Sequence, residues 1–397
     1  MMPTSAKIKR IPVVFRYPEA RPLFFGSEKW HVGGAPLQMY MLAKELAKDP
    51  CFDVSFWIDG PIPAKQVDGI SMYSFPLPIP LWRAISFLPQ ATRSAALWIA
   101  EVINRRRCRI AARLARDGVM IFSVCSSSEL VSHQEMIHKN GGKVFYRVAS
   151  DIDVVPQMRG EEGDDDFSMA LATVDTVIVA THYQRRMAKE NFGIDTLLIP
   201  SPFLLPFVPD DSKVANEERD TILWVGQCVA YRRPWVMLEL ARAFPSENFV
   251  MVMPECDALL TRAIKSQLSA ASNIELIDHV PPDQIQPYFN RAKMYVNTSQ
   301  FEGFPNTLHQ AAFARTPYVS LTWNPDNLLE NNNIGLGCND DVSTMILHMS
   351  TLLQDEELMR QMGDNAHQYV TTQHVFEDVV SQYKDAIRKA CDGAYIA

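Results

Sequence analysis

The chain has 397 residues, 47% hydrophobic and 21% charged, enough to bury two cores of ordinary domain size and pointing to two or three domains. A formal net charge of −8 and a pI near 5.6 argue against a general nucleic-acid binder, whose affinity rests on neutralising phosphates. Seven cysteines, widely spread and without a Cys-x-x-Cys pair, suit a reducing cytoplasm and offer no zinc site, and no apolar run reaches the ~18 residues of a membrane span.

The basic Lys7, Lys9 and Arg10 are followed only by a short strand-like run, Ile11 to Tyr17, so no signal peptide is expected. Gly33 and Gly34 then open an amphipathic helix over Ala35 to Lys48, with Leu37, Tyr40, Met41 and Leu46 near one side and Gln38, Lys44, Glu45 and Lys48 mainly on others. Two glycines at a helix start read either as a tight turn or as a place where backbone N–H groups approach a phosphate. A strand over Asp53 to Ile58 completes a βαβ unit suited to a parallel sheet. Between Phe75 and Arg116 an apolar, proline-broken segment precedes a helix on which Arg105, Arg109, Arg113 and Arg116 form one stripe opposite Ile103, Ile110 and Leu114. That stripe is either a solvated surface face or a docking face for an anionic membrane.

Strands are expected over Val119 to Cys125 and Lys143 to Ala149, the second running into Ser150-Asp151-Ile152-Asp153. Ligands of open α/β sheets sit beyond the carboxyl ends of strands, which places Asp151 to reach a substrate. Asp151 and Asp153 also have Asp-x-Asp spacing, a weak metal signal without further ligands, and the GEEGDDD run from Gly160 reads as a solvated loop. After strands over Val174 to Ala180 and Thr196 to Ile199, with Thr181 as a helix cap between them, prolines at 200, 202, 206 and 209 and a polar run to Asp220 mark a domain boundary. Three segments are therefore expected: residues 1–203, residues 204–372, and a terminal helical segment over 373–397.

The second domain restarts with a strand over Thr221 to Val225, then Gly226-Gln227 and Arg232-Arg233, with further strands over Asn248 to Met253 and Asn273 to Ile277. Its centre is KMYVNTSQFEGFPNTLHQAAFART, Lys293 to Thr316: a strand, a tight loop with Glu302-Gly303, and a helix behind Pro305 carrying Leu308, Ala311 and Ala312. The loop and helix start present backbone N–H groups and a dipole that suit a phosphate. Glu302 would repel that phosphate and fits better as an acceptor for sugar hydroxyls or backbone amides. Gln310, about two turns on, can address the same cavity; as an alternative, both are plain surface polar groups. Asn324-Pro325-Asp326 should turn near the cleft after a strand over Tyr318 to Leu321, and the last helix spans about Val375 to Ala390.

The run EGFPNTLHQAAFARTPYVS resembles the signature of family 4 retaining glycosyltransferases of the GT-B fold, with Gln310 where the family usually has a second Glu. GQCVAYRRPW resembles the family's diphosphate-binding signature, with Gln227 at the usual Arg position and Arg232 at the usual Lys position, and Gly33-Gly34 is similar to its first glycine loop. The resemblance implies an α/β chain of two Rossmann-like domains facing across a cleft, its C-terminal helix returning to the N-terminal domain. It implies transfer of a hexose-type sugar from a nucleoside diphosphate to an acceptor hydroxyl with retention, in polysaccharide or glycolipid synthesis. A lipid-linked or growing polysaccharide acceptor at the cytoplasmic membrane face is expected only from the Arg105 to Arg116 stripe and its apolar prelude. By the same resemblance Glu302 and Asp151 are catalytic candidates. The donor diphosphate falls to Arg232, Arg233, Gln227, Asn306, Thr307 and Gly34, and the donor sugar and ribose to Glu302, Gly303, Phe304, Pro305 and Gln310. Gly33, Gly34 and Asp151 face the acceptor, and no metal or other cofactor is required. Two rivals remain: a nucleotide-sugar epimerase with the same paired domains, and a catalytically silent nucleotide-sugar-binding subunit, which Gln227 and Gln310 motivate. A dehydrogenase fits less well, because no Gly-x-Gly-x-x-Gly follows the first strand.

Overall fold

The computed structural model describes residues 10–26, 33–75, 90–159, 165–204, 219–268 and 271–395. The first domain holds strands β1 (Ile11–Arg16), β2 (Phe52–Asp59), β3 (Gln66–Val67), β4 (Ile70–Phe75), β5 (Val119–Phe122), β6 (Lys143–Arg147), β7 (Thr176–Val179) and β8 (Thr196–Leu198). They form one sheet in the order β3-β4-β2-β1-β5-β6-β7-β8, parallel except for the β3–β4 hairpin. That hairpin was not expected; its signal was Asp68-Gly69, a two-residue turn with both φ values positive, at 49° and 81°. The second domain holds β9 (Thr221–Val225), β10 (Asn248–Val252), β11 (Ile274–Ile277), β12 (Ala292–Asn297), β13 (Tyr318–Ser320) and β14 (Gly335–Gly337), all parallel in the order β11-β10-β9-β12-β13-β14.

Both faces of the first sheet are covered, which is why its strands read as continuous apolar runs. Along β1, Ile11, Val13 and Phe15 face one core and Val14 the other. The first core is closed by a helix from the far end of the chain, Phe376–Tyr395, whose Phe376, Val379, Val380, Tyr383 and Ile387 pack with Val13 and Phe15. The Gly34–Ala47 helix corrects the expected face: Met39, Leu42, Ala43 and Leu46 are buried with Gln38, whereas Leu37, Tyr40 and Met41 are only partly covered. The apolar pre-helical segment over 76–89, residues 160–164 of GEEGDDD and the boundary run over 205–218 lie outside the described residues. Among the described residues no helix is long and apolar enough to cross a membrane.

In both domains the strand ends that precede a loop point toward the other domain. Polar contacts join them there, among them the Asp151 backbone N–H donating to the Glu302 carbonyl at 2.8 Å, Arg186 paired with Asp326 at 2.7 Å, and Gln38 donating to Asn306. The expected Asn324-Pro325-Asp326 turn is therefore a cross-domain contact, with Asp326 and Asn327 both at φ 55°.

Candidate active site between the domains

A cleft of about 640 Å³ opens where the strand ends of the two sheets face each other, a size suited to a sugar nucleotide. Its second-domain wall is made by the loop after β12 and by the Asn306–Phe313 helix. Pro305 is the residue before the first turn, in extended conformation at φ −70° and ψ 135°. Asn306 and Thr307, whose amides have no partner within the helix, line the cleft together with Gln310, while the Leu308 N–H turns back to the Pro305 carbonyl at 3.0 Å. Gly303 must lack a side chain, because a Cβ there would stand 2.1 Å from the Ala149 carbonyl oxygen of the facing domain.

Glu302 is buried and its Oε1 accepts from Arg232 Nη1, which also donates to Ser299 Oγ at 3.2 Å. The Arg232 guanidinium lies 5.3 Å from the Tyr231 ring centroid, and Tyr231 stacks on Phe301 at 4.7 Å and 13°. Burial works against the Arg232 charge, but the Glu302 carboxylate more than offsets it and holds the guanidinium cationic. Gln227 lines the cleft beyond β9, and Gln310, only 8% exposed, lines it one side chain above the helix start. Gly33 and Gly34 border the cleft from the first domain, and a Cβ on Gly34 would come 3.1 Å from Asn306 Nδ2. Asn306 itself is committed to the first domain, donating to the Gly34 carbonyl at 3.3 Å.

Two expected site residues stand elsewhere. Arg233 does not line the cleft: at φ 50° it turns back into its own domain, where Nε donates to the Thr298 carbonyl at 2.6 Å and the two Nη groups go to Asp340 and Thr322. Asp151 is 4% exposed and aims away from the cavity, accepting from Gln184 Nε2 at 2.9 Å. Burial pushes its carboxyl well above the usual range. Its neighbour Asp153 caps the turn, accepting from the Ala149 N–H at 2.8 Å, so the Asp-x-Asp spacing reflects a local turn. Ala149, Ser150 and Ile152 line the cleft in their place.

Other cleft residues escaped the sequence reading. Tyr17, Glu19, Val124 and Ile152 line the first-domain side, and Val252, Pro254, His279, Val280 and Ile285, apolar but for His279, line the other beyond β10 and β11. Val124 is 52% exposed and held at φ 63°, a strained setting for a β-branched residue. Only the Tyr231 and Phe301 pair had a visible signal, since each adjoins a motif residue.

Comparisons with known proteins agree with this architecture. Residues 219–355 match the family model described as Glycosyl transferases group 1. Over 135 residues the chain is 24% identical to Glycosyltransferase 1 domain-containing protein 1 of Xenopus tropicalis, covering 34% of this chain and 39% of that protein, so it spans about two fifths of that relative's length. Among solved structures it resembles sucrose-phosphate synthase from Thermosynechococcus elongatus, with TM-score 0.74, 15% identity and coverage of 97% of this chain and 100% of the other. It also resembles Anabaena HepE in complex with UDP and glucose, with TM-score 0.70, 12% identity and coverage of 95% and 99%. The chain therefore has the GT-B fold, two parallel-sheet α/β domains across a cleft, and its second domain carries the Glycosyl transferases group 1 match.

Proposed function

We propose that the protein is a retaining glycosyltransferase that moves a hexose-type sugar from a nucleoside-diphosphate sugar to an acceptor hydroxyl, in polysaccharide or glycolipid synthesis. The observation that carries this reading is the Arg232–Glu302 pair at the cleft, beside a helix start and the 8% exposed amide of Gln310. A departing diphosphate needs positive charge where its own charge develops, and Arg232 with the Asn306–Phe313 helix start supplies it without requiring a metal. The bond from the anomeric carbon to the diphosphate oxygen breaks, the acceptor oxygen bonds to that carbon, and the acceptor's proton leaves with the diphosphate. Glu302 orients the sugar hydroxyls, Gln310 the ribose, and the wall of Val252, Pro254 and Val280 takes the base. The acceptor enters past Tyr17, Glu19 and Val124.

We further propose that the acceptor side works at the cytoplasmic membrane face, a reading supported by the Gln90–Leu114 helix. Its exposed Trp98, Ile99, Val102, Arg105, Arg106, Arg109 and Arg113 fall within an arc of about 120° at the helical repeat, with exposed Arg116 just beyond its end. Arg107 reaches Asp59 at the end of β2 at 3.3 Å, so the helix before it runs past the strand ends on the cleft side.

A thermal-shift panel of nucleoside diphosphates and their sugar conjugates, with and without magnesium, tests the donor site. One nucleotide should stabilise the protein without metal, and the extra shift from its sugar should vanish in Glu302→Ala. No shift with any of them would sink the assignment. Binding without turnover across a panel of acceptors would favour the silent-subunit reading.

A further inference from the structure

The polar chain that crosses the cleft has only one direction in which it can be built. Arg147, at the end of β6 and 3% exposed, is a pure donor, and its Nη2 donates to Gln38 Oε1 and to Ser201 Oγ at 3.0 Å. Because the guanidinium has no acceptor, Gln38 must turn its carbonyl toward Arg147. Its amide nitrogen then faces the other domain, donating to Asn306 Oδ1 and, at 3.4 Å, to the Phe304 carbonyl. Asn306 in turn has its amide nitrogen left for the Gly34 carbonyl at 3.3 Å. A cation buried in the first domain thus fixes the orientation of two amides, the second of which begins the helix that faces the cleft in the other domain.

The loop from Glu302 to Asn306 is held from the first domain at four places: the Glu302 carbonyl by Asp151 N–H, Gly303 against Ala149, the Phe304 carbonyl and Asn306 by Gln38. Its own domain holds it by side chains: Glu302 through Arg232, and Phe304 in the core beside His309, Trp323 and His374. We infer that Gln38 is a positioning residue of the donor half-site: backed by Arg147, it sets the Phe304–Asn306 loop and the helix start from the opposite domain, so that this half-site is complete only when the domains are closed. The nucleotide part of this inference rests on the function proposed above; the closure part does not.

Gln38→Glu separates the two ends of the relay. The new carboxylate still accepts from Arg147, so the first domain keeps its stability. It presents an oxygen to Asn306 Oδ1, and if Asn306 flips, its own oxygen meets the Gly34 carbonyl instead. Small-angle X-ray scattering of the nucleotide-free protein should show a larger radius of gyration for Gln38→Glu than for wild type, at an equal or higher melting temperature. Affinity for UDP, or for whichever of UDP, GDP and ADP binds wild type, should fall about tenfold, the worth of one or two hydrogen bonds. Asn306→Asp, which clashes with the Gly34 carbonyl from the other domain, should open the molecule in the same way, and reads the relay if Gln38→Glu does not fold. Unchanged scattering in folded variants would overturn the closure role, and opening with unchanged nucleotide affinity would overturn the positioning role. Opening in a protein that binds none of the three nucleotides would keep the clamp and discard the glycosyltransferase reading.

Discussion

Arg232 and Arg233 leave the same turn in different directions, so removing each should fail in a different way. Arg232 meets Glu302 at the cleft, and Arg232→Ala should weaken nucleoside-diphosphate binding at least tenfold, the scale of a lost charge-assisted hydrogen bond. Arg233 ties Thr298, Thr322 and Asp340 together. Arg233→Ala should therefore cost about 2 kcal/mol of stability while nucleotide affinity stays within about twofold, as calorimetric titration beside thermal melts would show. An equal loss of affinity in both would return Arg233 to the cleft. Sequence could not separate them, because two adjacent arginines before a helix look interchangeable until the backbone of the second is seen at φ 50°. Asp151 misled for a related reason: a strand-end carboxylate predicts a position, but its side-chain direction was decided by Gln184 behind it.

At the scale of elements, the parallel strands were legible because sheets buried on both faces write themselves as apolar runs, and the observed strands end within three residues of the expected ends. The Lys293–Thr316 stretch was legible as strand, loop and helix because glycine and proline punctuate it. The buried side of the Gly34–Ala47 helix was not, since a polar residue, Gln38, is buried by a partner 109 positions away. The Gln90–Leu114 helix carries its own test. Its Trp98 is 68% exposed on the arc that bears the arginines, so binding to anionic vesicles should need both. Wild type should sediment with phosphatidylserine-containing vesicles at low salt and not with neutral ones, and either Arg105/Arg109/Arg113→Ala or Trp98→Ala should release it. Equal pelleting of wild type and both variants would leave the stripe a solvated face.

For the molecule as a whole, the two places where the chain passes between domains meet at one buried cluster. Phe203 packs on His309 at 5.0 Å, His309 Nε2 lies 3.3 Å from His374 Nδ1, His374 Nε2 is 3.2 Å from the Tyr369 hydroxyl, and Phe304 covers both rings. Burial pushes His374 down to about 4 and His309 well below its usual range, and His133, between Trp57 and Phe122, also down to about 4. In the unfolded chain each takes up a proton near 6.5, whereas the folded chain stays neutral. Stability should therefore fall as pH drops from about 6.5 toward 4, with Asp151, whose carboxyl is raised, working in the opposite sense. Denaturant titrations across that range should show His374→Phe lowering the slope by one proton, about 1.4 kcal/mol per pH unit. An unchanged slope would mean that His374 is charged in the folded state.

The helix Phe376–Tyr395, which fills the core beside Val13 and Phe15, also imposes an order of events on synthesis. Strands β1 to β8 are complete by residue 198, yet the part of one face that this helix covers stays bare until nearly two hundred more residues are made. At ordinary elongation rates that is a wait of roughly 10 to 40 seconds. The second domain, continuous from β9 to β14, can finish first. A stop codon or protease cut that removes only this helix should therefore unmake the domain at the other end of the chain, and the newborn first half is where a chaperone would be expected to bind.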